Sequence, residues 1–217
     1  ITISSIGNSQ DFGDLTVARR ELSGCSDSTR GCYGAGTLGS QDVIDFITIS
    51  SSGNAQDFGN LIQALDGAAS YSSPTRGIWA GGEGPSPYPA LNIIHYITIS
   101  SKGNAQDFGD LTVSKWAVFG CSNTIRGLTA GNGNVISYIN IASTGDAQDF
   151  GDLQGGTGHS GAALSSNIRG VFSAGGPSTK HMSFVNISTS GNSLDFGDAL
   201  VNTYRSSGLT NGHGGLG

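Results

Sequence analysis

The sequence predicts an all-β fold, a five-bladed β-propeller built from four-stranded antiparallel blades. Three observations predict it. A stretch typified by Ile97-Thr98-Ile99-Ser100-Ser101-Lys102-Gly103-Asn104-Ala105-Gln106-Asp107-Phe108-Gly109-Asp110-Leu111 recurs along the whole chain, with its Asp-Phe-Gly core at Asp11–Gly13, Asp57–Gly59, Asp107–Gly109, Asp149–Gly151 and Asp195–Gly197. The phenylalanines stand 46, 50, 42 and 46 residues apart, and a period of about 40–50 residues marks blades or stacked units. Within each period, short apolar alternations are separated by Gly, Asn and Ser turns. No apolar residues recur at helical spacing over three turns.

Each element follows from its residues. Ile1-Thr2-Ile3-Ser4 alternates with period two, as a strand with unlike faces does. Gly7-Asn8 suits a hairpin turn. Gln10–Leu15 is the next strand, Thr16–Cys25 another, and after a polar turn Arg30–Gly36 a fourth. The cycle restarts at Val43–Ser50. Counting strands A to D outward from the axis, strand A is expected at 16–26, 62–72, 112–123 and 154–165, with small residues (Gly24, Ala69, Gly120, Ala162, Ala163) where strands crowd the centre. Strand B follows Arg30, Arg76, Arg126 and Arg169. Strand C is the Ile-Thr-Ile-Ser run, and strand D carries Asp-Phe-Gly. Four such strands make a meander, and meanders repeated around an axis make a propeller.

One domain over residues 1–217 is expected, because a single unit is too short to bury a core. The blades fall at about 16–61, 62–111, 112–153 and 154–199. A fifth is composed of 1–15 with 200–217, its strand A at Val201–Ser207 and its strand B at Leu209–Gly215. Such closure removes exposed sheet edges. The chain opens mid-repeat at Ile1, which reads as a processed or trimmed chain or part of one. The 36 glycines have no three-residue period, so collagen is excluded.

The repeat resembles kelch-type repeats in three features. Gly-Gly closes strand B (Gly81-Gly82, Gly175-Gly176), strand C contains an aromatic (Phe46, Tyr96), and strand D contains another (Phe58, Phe108). It departs from them in having Phe where kelch repeats usually have Trp, and Gly131-Asn132-Gly133 in place of a full Gly-Gly. The wording Ile-Thr-Ile-Ser-Ser-x-Gly-Asn-Ala-Gln-Asp-Phe-Gly-Asp-Leu is similar to repeats in virion proteins of marine phages, cyanophages in particular. That resemblance implies a propeller on a particle surface and no established chemistry.

The recurring residues read first as scaffold. Phe12, Phe58, Phe108, Phe150 and Phe196 are expected to wedge between blades, each burial contributing about 1.5–3 kcal/mol. Asp11, Asp57, Asp107 and Asp149 share a face with Arg30, Arg76, Arg126 and Arg169, so Arg–Asp contacts such as Arg30 with Asp57 are expected there. Asp-Phe-Gly is also a metal-binding tripeptide of protein kinases, but the catalytic-loop and glycine-rich phosphate motifs that accompany it are missing. The histidines His95, His159, His181 and His213 have no metal-site spacing. No metal and no cofactor is expected. Cys25 and Cys121 occupy matching places, as small buried apolar residues would. Cys25 and Cys32 flank a tight turn and can face one another, as free thiols or as a disulfide. Asn186-Ile187-Ser188 matches a glycosylation acceptor but lies in an expected strand.

Function is sought where the repeats differ. The B–C and D–A loops share the opposite face, and there the units diverge: Arg20, Asp66, Trp116 and Gly158 or His159 near the start of strand A, and Glu83 and Tyr88 in a long second B–C loop. Trp79, Tyr88 and Trp116 are the candidate aromatic platforms for a sugar ring, with Trp79 alternatively inter-blade core. A net charge of −6 argues against nucleic acid and anionic membrane as partners. No apolar run reaches the ~20 residues of a spanning helix, so membrane insertion is not expected. The leading expectation is a non-enzymatic binding or adhesion module on a virion or extracellular surface, recognising a glycan or a protein partner. A structural tile, assembling with itself or with other virion proteins, is the second. A carbohydrate-active enzyme is the third, and it would need carboxylates such as Asp66 and Glu83 converging at the axis.

Overall fold

A computed structural model describes residues 6–37, 41–155, 161–173, 175, 180–202 and 206–208. It contains four four-stranded antiparallel sheets, each a meander in chain order. The first is β1 (Ser23–Ser26), β2 (Arg30–Gly34), β3 (Val43–Thr48) and β4 (Gln56–Asn60). The second is β5 (Ala69–Ser72), β6 (Arg76–Ala80), β7 (Leu91–Thr98) and β8 (Gln106–Lys115). The third is β9 (Phe119–Ser122), β10 (Arg126–Ala130), β11 (Val135–Asn140) and β12 (Gln148–Asp152). The fourth is β13 (Ala162–Ser165), β14 (Arg169–Ser173), β15 (His181–Asn186) and β16 (Leu194–Asp198). Among the described residues there is no helix.

The strands β1, β5, β9 and β13 are successive neighbours. Residues from all four line one cavity of about 830 Å³, among them Gly24, Ser70, Gly120 and Ala163. The sheets are therefore set side by side around a common channel, as propeller blades are. A serine closes each of these strands, and in β5, β9 and β13 it stitches the strand to the one before. The Ser72 hydroxyl donates to the Ser26 carbonyl at 2.8 Å, Ser122 to Ser72 at 3.0 Å, and Ser165 to Ser122 at 2.8 Å. The inner strands are only four residues long, much shorter than expected. The residues before them leave the previous sheet and cross to the next one. In the third unit part of that crossing, up to Lys115, stays paired as the end of β8.

The repeated stretch works as a clamp between sheets. In the motif Gly-Asn-Ala-Gln-Asp-Phe-Gly-Asp, the first three residues reach back to the preceding unit's Phe-Gly-Asp. Gly103 N–H donates to the Phe58 carbonyl at 2.9 Å and Ala105 N–H to Asn60 at 2.8 Å. Asn104 Oδ1 accepts from Asn60 N–H at 3.0 Å. Gly145–Ala147 does the same to Phe108–Asp110, and Gly191–Ser193 to Phe150–Asp152. Gly53–Ala55 clamps Phe12–Asp14 in this way too. Residues 10–15 form no regular strand, yet they hold the outer-strand position beside the first sheet. The glycine in Asp-Phe-Gly is required here: Gly109 has φ +140°, and a Cβ on it would meet the Gly145 carbonyl carbon at 2.5 Å.

Phe58, Phe108 and Phe150 are wedges, each 2–3% exposed. Each packs edge-on against its own sheet's β3-type ring, Phe46, Tyr96 or Tyr138, with centroids 5.8–5.9 Å apart. Each also packs against isoleucine, valine or alanine side chains of the following sheet. Phe12 and Phe196 depart from expectation, at 39% and 47% exposed. Phe196 stacks on Phe184 at 6.1 Å, but among the described residues no following sheet covers it.

The expected Arg–Asp contacts do not form. Arg30, Arg76 and Arg126 each donate from Nη1 to a carbonyl of the next sheet, Ile99 at 2.8 Å, Ile141 at 2.8 Å and Ile187 at 3.3 Å. With Arg169, each also lies over its own sheet's aromatic ring at 4.6–5.1 Å. The aspartates Asp11, Asp57, Asp107 and Asp149 accept instead from the glycine N–H two residues on, at 3.0–3.2 Å. A short acceptor side chain finds that backbone donor before any arginine can reach it.

Candidate functional site at the channel mouth

The turns that lead into the inner strands surround one end of the channel. Glu21, Gly67 and Ala117 occupy the same place in three of them, and all three adopt the left-handed conformation, with φ of 59°, 58° and 51°. A non-glycine residue there costs of order 1–3 kcal/mol and marks a backbone held by its surroundings. Those surroundings are the neighbouring turns: Gly67 N–H donates to Glu21 O at 3.4 Å and Val118 N–H to Gly67 O at 3.0 Å. The residues just before, Arg20, Asp66 and Trp116, are the divergent positions singled out in the sequence. A short two-way backbone bridge ties Arg20 to Thr37, and another ties Asp66 to Glu83, at the start of the B–C loops.

This lacing brings Glu21, Asp66, Glu83 and Trp116 to a cavity of about 400 Å³, with Gly67, Ala117 and Ser207 on its wall. Trp116 is 37% exposed. Burial, with the Glu21 and Glu83 charges adding to it, pushes the Asp66 carboxyl up to about 6, and Arg20 opposes the shift. The mouth is thus an acidic recess with one indole on its rim. Glu21 was not singled out in the sequence. The signal that could have found it is its phase: it stands where Gly67 stands, at a position that demands a positive φ.

The other expected site residues fall elsewhere. Trp79 is wholly buried, and its Nε1–H donates to Ser23 O at 3.1 Å. It is inter-sheet core, because Gly34 leaves a space into which the indole fits. Tyr88 is 63% exposed on the Pro85–Pro89 bend, outside the recess. Arg20 is exposed, with its Nε–H donating to Thr37 Oγ1 at 3.1 Å. His159 lies outside the described residues. Among the described residues no group of three or more His, Cys, Asp or Glu is arranged to hold a metal ion, and no helix is long and apolar enough to cross a membrane.

A second set of functional-looking residues proves to be internal. Arg19, Leu65 and Lys115 share one phase, just before the mouth. Arg19 is paired with Asp45 at 2.9 Å with both side chains fully buried, and it also donates to Tyr33 O at 3.0 Å. Lys115 donates to Val135 O, and burial lowers it to about 8. In the intervening unit Leu65 fills the slot. Buried His95 takes the Asp45 position, accepting from Ile62 N–H at 3.2 Å, and burial holds it down to about 4. These polar groups tie each crossing segment to the sheet it enters and are closed to ligands.

No family model matches the chain, and no curated protein matches it by sequence. Solved structures do match. One titled "Structure of YjhT" aligns with a TM-score of 0.70 at 8% identity, over 86% of this chain and 67% of that one. The likeness is one of fold: the chain is built as a β-propeller.

Proposed function

We propose that the chain is a kelch-like, non-enzymatic binding module whose channel mouth takes a sugar ring of a surface glycan. The observation that carries this reading is the meeting of Trp116 with Asp66, Glu83 and Glu21 on one recess of about 400 Å³. An indole face stacks on a sugar ring while carboxylates accept its hydroxyls, the usual division of labour in such pockets. On the opposite face the recurring arginines are held by carbonyls of the next sheet and the recurring aspartates by glycine N–H groups. A virion or extracellular surface as its location rests on the similarity of the repeat wording to marine phage virion proteins. A glycan array with the wild type and Trp116→Ala tests the reading. Signal lost in a variant with unchanged unfolding midpoint supports it, and binding that survives the substitution refutes it.

One observation favours a second reading, a carbohydrate-active enzyme. Asp66 is held partly protonated near neutral pH beside Glu83, as a general acid paired with a second carboxylate would be. Hydrolysis of chromogenic glycosides with a limb near pH 6 that Asp66→Asn abolishes would support it, and no turnover by the wild type on any of them would dismiss it.

The count of five blades belongs to the same proposal. Gly7-Asn8-Ser9 repeats the wording of the clamp Gly191-Asn192-Ser193, and Phe196-Gly197-Asp198 is an acceptor of the usual form. Gly208 lies against Ala163 and Leu164. With the inner strands at their observed places, Ser207-Gly208-Leu209-Thr210 falls in phase with Ser23-Gly24-Cys25-Ser26. That phase makes Ser207 the start of the closing strand A instead of its end.

A further inference from the structure

We propose that Cys25 and Cys32 form a dithiol–disulfide couple that staples the inner hairpin of the first sheet. In the β1–β2 register the two residues are direct partners. Partners in an antiparallel pair have Cα atoms about 4.5–5.5 Å apart, within the span a disulfide bridges. Both side chains stand on one face of the hairpin, and Cys32 is the neighbour that bears most on the Cys25 thiol. The other sheets supply controls. Cys121 sits in β9 where Cys25 sits in β1, but its partner is Leu128. Tyr71 in β5 faces Ile78. The arrangement is thus confined to the first sheet, and Cys121 has no thiol opposite it.

Access sets the order of events. Cys32 is fully buried, and Cys25 is buried at the channel wall with its Sγ turned to Gly77 of the second sheet. A low-molecular-weight disulfide that reaches Cys25 when that seam opens is attacked by its thiolate, which forms a mixed disulfide and expels one thiolate. Cys32 loses its proton and attacks the Cys25 sulfur, expelling the second thiolate. The protein gives up two protons and two electrons, and the oxidant is reduced to two thiols. The Cys32 partner and burial raise the Cys25 thiol well above its ordinary value, so the thiolate is scarce at neutral pH and oxidation speeds up as pH rises.

The test uses the purified chain in oxidised glutathione, followed by thiol titration of the denatured protein and mass spectrometry of an unreduced tryptic digest. Trypsin cuts after Arg20, Arg30 and Arg76, so the disulfide joins peptide 21–30 to peptide 31–76. The expected result is loss of two of the three thiols, that joined pair, and Cys121 left free. Cys121→Ala is expected to lose two thiols as the wild type does, and Cys32→Ala to stop at a glutathione adduct. Three thiols retained in the wild type, a stable glutathione adduct on Cys25, or a bond to Cys121 would each overturn the proposal.

Discussion

Gly109→Ala measures the clamp, and Gly197→Ala supplies its reference. Both glycines sit in Asp-Phe-Gly at positive φ, +140° and +126°. An alanine at either one therefore bears a common backbone strain of about 1–3 kcal/mol. Their surroundings differ. A Cβ at 109 would press on the Gly145 carbonyl carbon, whereas one at 197 would meet nothing within 4 Å. Relief at 109 requires the Gly145–Ala147 turn to withdraw. That turn makes backbone bonds to Phe108 at 2.7 Å and Asp110 at 2.8 Å, and Asp146 Oδ1 accepts from Asp110 N–H at 3.1 Å. Three bonds at about 0.5–1.5 kcal/mol each add roughly 1.5–4.5 kcal/mol. Gly109→Ala is thus expected to cost about 2.5–7.5 kcal/mol and Gly197→Ala only the strain of about 1–3 kcal/mol. Urea unfolding followed by the fluorescence of buried Trp79 gives both values from the shift in midpoint. Costs that are equal and within the strain alone would refute the clamp. Costs that are equal and large would mean that Gly7-Asn8-Ser9 clamps Phe196–Asp198 in solution, which is the fifth junction of a closed ring.

Three further outcomes follow from the same contacts. His95 is held down to about 4 by burial, below its unfolded value of about 6.5. The unfolded chain therefore takes up this proton first as pH falls. Stability contributed by neutral His95 is full above about 6.5 and declines by about 3 kcal/mol towards pH 4, a decline that His95→Gln reduces in urea midpoints taken across that range. Asp66 has the opposite sign: its carboxyl is raised to about 6, so ionising it destabilises the fold as pH climbs from about 4 to 6. Asp66→Asn should raise the thermal midpoint at pH 7 and leave it nearly unchanged at pH 4. Arg76→Met keeps the stem but loses the bond to Ile141 O and the contact with the Tyr96 ring. A loss of about 1.5–3 kcal/mol in urea unfolding is expected from a charged hydrogen bond of that kind.

Periodicity made the sheets legible. A strand that alternates and a turn of Gly-Asn repeat their wording because each unit meets the same neighbour, so Phe58, Phe108 and Phe150 were recognisable as wedges before any geometry. What the wording hid was the partner of each repeated polar residue. Arginine and aspartate that recur on one face look complementary, yet each was satisfied by backbone: a carbonyl of the next sheet for Arg30, Arg76 and Arg126, a glycine N–H two residues on for the aspartates. Backbone donors and acceptors are present at every position and leave no trace in residue identity. The serine at the end of each inner strand was equally plain as letters. Its purpose appears only once the strands lie side by side and the hydroxyls of Ser72, Ser122 and Ser165 reach the preceding carbonyls.

The mouth was legible for the converse reason. Where neighbours are identical the units agree, so Arg20, Asp66 and Trp116, which occupy one phase and differ in charge and size, cannot all be serving the same packing. The inference fails one residue earlier, at Arg19, Leu65 and Lys115, which also share a phase and also differ. There the difference is absorbed inside the protein: Asp45 compensates Arg19, the Val135 carbonyl takes the Lys115 ammonium, and Leu65 adds to the core. Variation within a repeat is therefore not by itself the mark of a site. Exposure distinguishes the two phases: Trp116 is more than one-third exposed on a recess, while Lys115 is 2% exposed. Glu21 shows that the phase carries more information than the letters. Adjacent to Arg20 in sequence, it looks like surface charge. Aligned with Gly67, it is a side chain forced into a glycine conformation beside two other carboxylates at the channel mouth.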